Sequence, residues 1–127
     1  MAEHLIISSG GKEEKYGTLY SQIKSLTEGE SDIIANMANI SAMIHATFGF
    51  WWTGFYRVCR DSGDRNGILV LGPFQGPLAC SSASRSEIVV PVVHDNEIIG
   101  VLDIDSAELD TFDETDKLWL EKIASVL

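Results

Sequence analysis

Apolar residues recur at helical spacing twice in the first half of the chain. In "KEEKYGTLYSQIKSLTEGE" Tyr16, Leu19, Tyr20, Ile23 and Leu26 return every three or four residues and form one face of an amphipathic helix. "SDIIANMANISAMIHATF" predicts a second helix, with Ser31 or Asp32 as N-cap and Ile33, Ile34, Met37, Ile40, Ile44 and Phe48 on its inner side. Met37 and Met43 read as packing residues. The pattern then changes to strand. "WWTGFYRVC" and "GILVLGPF" flank the polar "RDSGDRN" and predict two antiparallel strands around a turn. "SEIVVPVV" and "IIGVLDIDS" predict another β-branched pair, joined by the turn "HDNE". A last helix follows in "DETDKLWLEKIASVL", with Asp113 as N-cap, Phe112 ahead of it, and Leu118, Ile123 and Val126 with Trp119 and Leu120 as its apolar stripe.

Helices first, strands in the middle and a helix last predict an α+β fold: a central antiparallel sheet with helices packed on one face and a ligand pocket on the other. A length of 127 residues with no repeat, low-complexity tract or linker predicts one domain over 1–127, with 1–11 as a loosely ordered tail.

Composition narrows the function classes. The hydrophobic content of 45% is that of a globular protein rather than a disordered one. Nineteen acidic residues against nine basic give a formal net charge of -10, which opposes nucleic acid and anionic membrane surfaces. The opening residues carry no basic, long apolar leader and no segment is long enough to span a bilayer. With two cysteines, Cys59 and Cys80, this points to a reducing, cytoplasmic setting. The cysteines and His4, His45 and His94 lack metal-ligand spacing, so no metal is expected.

Candidate chemistry centres on "VLDIDS". A β-branched strand disfavours aspartate, yet strand alternation puts Asp103 and Asp105 together on one face. Two carboxylates side by side repel when ionised, so one of them can hold a proton near neutral pH and act as a proton donor. The plainer reading has both bonded to backbone amides after the strand. Glu87 interrupts the apolar neighbouring strand and can face the same pocket. Three converging acids would suit an ammonium group. Alternation also separates Trp52 and Tyr56 from Phe55, which offers an aromatic wall for a small ligand that is part apolar and part cationic. Cys80 lies in the small, polar "GPLACSSASRS" beside Arg85, a setting that favours an exposed thiolate. Cys59, in an apolar strand, reads as structural.

"IANMANISAMI", "WWTGFY", "LGPFQGPLAC", "SEIVVPV" and "GVLDIDS" followed by "FDETD" resemble the free methionine-(R)-sulfoxide reductases, a family of stand-alone GAF domains, and cover nearly the whole chain. The resemblance implies reduction of free methionine-(R)-sulfoxide in the cytoplasm without a bound cofactor. A cysteine thiolate attacks the sulfoxide sulfur, a second cysteine resolves the sulfenic acid, and thioredoxin or an equivalent dithiol protein reduces the disulfide. It further implies that Glu87, Asp103 and Asp105 hold the substrate ammonium and polarise or protonate the sulfoxide oxygen, that Trp52 and Tyr56 pack its methyl-sulfoxide end, and that the protein is a homodimer. Cys80 stands seven residues before Glu87, as the family's nucleophile does, and also completes "GPFQGPLAC", as its resolving cysteine does. One residue matches both motifs. A lid segment of a few dozen residues, which separates those motifs in the family and carries a further cysteine, is missing beside residue 80, either because the polypeptide is truly shortened or because these 127 residues are the ordered part of a longer chain. A non-catalytic GAF sensor module that binds a small molecule is the rival reading.

Overall fold

In the computed structural model, residues 4–60, 67–79 and 83–127 are described. Helix α1 spans Lys12–Glu28 and α2 spans Ile33–Phe48. Asp32 caps α2, its side chain accepting from the backbone N–H groups of Ile34 and Ala35. The helix stops at Gly49, whose left-handed φ of 66° turns the chain toward the sheet at no steric cost. Helix α3 (Glu114–Ala124) opens on a capping box made by Asp113 and Asp116.

The strands are β1 (Trp52–Cys59), β2 (Ile68–Gln75), β3 (Ser86–His94) and β4 (Glu97–Ser106). They form one antiparallel sheet in the order β2-β1-β4-β3. The β3–β4 hairpin closes through Asp95 and Asn96, both at positive φ (50° and 63°), the conformation a two-residue turn demands and that Asp and Asn tolerate. The polar turn expected between β1 and β2 falls on 61–66, outside the described residues.

All three helices share one core with the sheet. Phe55, Val90, Val92, Leu102 and Ile104 point toward them and are buried against Tyr16, Ile23, Met37, Ile40, Ile44 and Ile123. Burial of each such side chain contributes about 1.5–3 kcal/mol. Asp116, 1% exposed, ties α1 to α3: it accepts from Tyr16 Oη at 2.5 Å and from Lys12 Nζ at 2.6 Å. Near the N-terminus Ile6 is bonded through its N–H and carbonyl to the Gln22 side chain, and residues 1–3 lie outside the described residues.

Two expectations about helix faces need correction. Leu118 is 59% exposed rather than part of the α3 stripe. Residues 118 and 120 stand about 200° apart on a helix, so Leu118 cannot share the buried face of Asp116, Leu120 and Ile123. Ile33 and Ile34 are 37% and 41% exposed. They occupy the first turn of α2, where the periodicity continues but none of the described residues buries them; burial along the helix starts at Asn36 and Met37. No helix among the described residues is long and apolar enough to cross a membrane.

Candidate active site

Strand alternation sends Phe55 into the helical core and leaves Trp52 and Tyr56 on the opposite face. The Trp52 ring stacks between Tyr56, with centroids 5.9 Å apart, and Phe74 of β2, at 5.3 Å. Gly54 makes this possible. A Cβ there would run into Phe74 and come within 2.6 Å of the Trp52 ring, so only glycine lets the indole lie across the strand.

The sheet register brings the acids to this wall. Trp52 pairs with Asp105, which pairs on its other side with Glu87; in the next row Gly54 pairs with Asp103, and Asp103 with Val89. One oxygen from each of Glu87, Asp103 and Asp105 lies within 4.8 Å of the others. These acids and the aromatic pair border an open cleft of about 240 Å³, with Leu78, Ala79 and Ser84 at its rim. Among its described lining residues there is no lysine or arginine.

The acids are not equivalent. Asp103 is half-buried, its Oδ1 enclosed with no hydrogen-bond partner. Burial pushes its carboxyl up to about 8, helped by a hydrogen bond to Glu87 and by the charges of Asp105 and Glu87. Burial also raises Asp105, with Glu87 adding to the effect, but here the Ser84 hydroxyl works the other way by donating to Oδ1 at 2.9 Å. Burial thus favours the protonated form of Asp103 near neutral pH while Ser84 favours the ionised form of Asp105, a pairing that can donate a proton and bind a cation at once. Trp52 Nε1 is likewise enclosed and without a hydrogen-bond partner.

Five of the six residues singled out from the sequence, Trp52, Tyr56, Glu87, Asp103 and Asp105, meet at this cleft. The sixth, Cys80, lies outside the described residues; Ala79, which precedes it, lines the cleft. Cys59 is a free thiol at the far end of β1, opposite Ile68. Seven residues of strand, about 23 Å at 3.3 Å per residue, separate it from Trp52. Sequence reasoning missed Phe74, Ser84 and the role of Gly54. An isolated glycine inside a strand was the available signal for Gly54. Phe74 needed the β1–β2 register, and nothing in "SSASRS" marks Ser84.

No protein-family model matches the chain. It is similar to a GAF domain-containing protein A of Dictyostelium discoideum, at 40% identity over all of this chain and 99% of the relative. That alignment runs over 161 positions against 127 residues here, so the relative carries residues between segments that are contiguous in this chain. A free methionine-R-sulfoxide reductase of Escherichia coli is 32% identical over 91% of this chain and 88% of its own. Among solved structures, the free methionine-R-sulfoxide reductase of Neisseria meningitidis in complex with its substrate superposes with a TM-score of 0.88 at 38% identity, over 97% of this chain and 92% of that one. The chain belongs to the free methionine-(R)-sulfoxide reductase family of GAF-domain proteins.

Proposed function

We propose that the protein reduces free L-methionine-(R)-sulfoxide to L-methionine at the cleft between Trp52 and the carboxylate row. The observation that carries this reading is the acid cluster itself: Glu87, Asp103 and Asp105 converge on one cleft with the aromatic wall, and burial pushes Asp103 up to about 8. Glu87 and Asp105 hold the ammonium of a free amino acid. Trp52 and Tyr56 pack its methyl-sulfoxide end. Asp103 donates its proton to the sulfoxide oxygen, which makes the sulfur more electrophilic.

Cys80 supplies the nucleophile as a thiolate. Attack on the sulfoxide sulfur passes the oxygen to the cysteine, leaving methionine and a sulfenic acid. A second thiol then condenses with the sulfenic acid to form a disulfide and water, and a further thiol reduces that disulfide. Overall two thiols are oxidised for each sulfoxide reduced. With Cys59 read as structural at the end of β1, the second thiol in this scheme comes from thioredoxin or an equivalent dithiol protein in a reducing cytoplasm. No metal or bound cofactor takes part in this scheme, and a homodimer belongs to the same reading by its likeness to the family.

The test is NADPH oxidation coupled through thioredoxin reductase and thioredoxin, with free methionine-(R)-sulfoxide as substrate. Asp105→Asn and Glu87→Gln should each lower turnover by about 10²-fold or more with the fold intact. Wild-type turnover in both would remove the carboxylates from the mechanism.

The shortness of the chain against the 161-position alignment favours a second reading, a sensor module that binds the sulfoxide without turning it over. Calorimetric binding of methionine sulfoxide with no coupled NADPH oxidation would select that alternative.

A further inference from the structure

One oxygen from each of Glu87, Asp103 and Asp105 lies within 4.8 Å of the others, so three ionised carboxylates here would repel. A proton held within the cluster relieves that repulsion, and its place depends on which carboxylate has a donor from outside. The difference is visible in the geometry. Asp105 Oδ1 has an outside donor, the Ser84 hydroxyl at 2.9 Å, whereas Asp103 Oδ1 is enclosed and has none.

Ser84 is held in place to do this. The neighbouring Arg85 N–H donates to Ser106 O at 2.7 Å and extends the β3–β4 ladder one residue beyond the Ser86–Ser106 pair. Ser86 Oγ in turn donates to Glu108 O at 2.7 Å. The segment ahead of β3 is thereby fastened to the end of β4, and Ser84 is set against Asp105.

We propose that Ser84 is a positioning residue for this site: its hydroxyl, donating to Asp105, keeps that carboxylate the ionised acceptor and leaves the cluster's proton on Asp103. The groups facing the pair are Glu87 from β3 and Tyr56 from β1. Neither is a fixed positive charge, and Ser84 is a donor to Asp105 from outside the acid cluster. Its consequence for catalysis rests on the reductase reading; the placement of the proton does not.

The experiment is a ¹³C-carboxyl NMR titration of Asp103 and Asp105 in the wild type, Ser84→Ala and Ser84→Thr, with no substrate present. The wild type should show Asp105 titrating below Asp103. Ser84→Ala should move the Asp105 midpoint upward and narrow the gap, and Ser84→Thr, which keeps the hydroxyl, should restore it. An Asp105 midpoint unmoved in a folded Ser84→Ala protein would overturn the proposal. In the coupled assay Ser84→Ala should lose about 3- to 10-fold in kcat, with an altered pH profile and a smaller change in KM. Absence of turnover in all three proteins would count against the reductase reading alone, because the titration needs no activity.

Discussion

At the scale of single residues, Asp103 joins stability to chemistry. Its folded value near 8 lies above the ordinary carboxylate value of 3.8, so between those limits the folded protein keeps a proton that the unfolded chain releases. The stability carried by the protonated form is complete below about pH 4 and is lost as pH rises through about 8. Asp103→Asn, neutral at every pH, removes this slope. Denaturant unfolding should show the variant gaining on the wild type from pH 4 to 9, by on the order of 2 kcal/mol once solvent screening of a half-exposed group is allowed for. Parallel curves would mean that Asp103 is ionised in the folded state. The same proton gives turnover an upper limit, with kcat falling above pH 8 in the wild type.

At the scale of elements, the cleft is a product of register. "VLDIDS" announced two acids on one face and "WWTGFY" announced Trp52 and Tyr56 opposite Phe55, because a period of two is written into each strand separately. Cross-strand pairing is not written in any one strand. That Trp52, Asp105 and Glu87 form one row, and that Phe74 closes the wall, follows from how β1, β2, β3 and β4 slide against one another. Helix phase carries a similar ambiguity, which is why Leu118, two residues before Leu120, was drawn into a stripe it does not join. Ser84 lies ahead of β3 with no periodicity to read. Gly54 lies in the neighbouring row, opposite Asp103, and Gly54→Ala should drive the Trp52 ring from its place. The account predicts a loss of about 1–3 kcal/mol in stability and weakened substrate binding, read by denaturation and tryptophan fluorescence. An alanine variant with unchanged emission and stability would show that the indole does not need the strand's bare backbone.

At the scale of the whole molecule, the proposed reaction oxidises two thiols per turnover, and of the chain's two cysteines only Cys80 follows a residue that lines the cleft. Cys59→Ser should keep wild-type turnover with thioredoxin, and Cys80→Ser should abolish it. Loss of activity in the Cys59 variant would give that residue a resolving role and overturn its structural reading. The net charge of -10 and the absence of lysine or arginine from the described lining disfavour a phosphate at the cleft, in keeping with the proposed ammonium site. The most direct measurement is methionine released from each sulfoxide epimer, supplied separately to the purified protein with excess dithiol and followed by amino-acid analysis. The account predicts steady release from free methionine-(R)-sulfoxide and none above background from the (S) epimer. No release from the (R) epimer by the folded protein would contradict it.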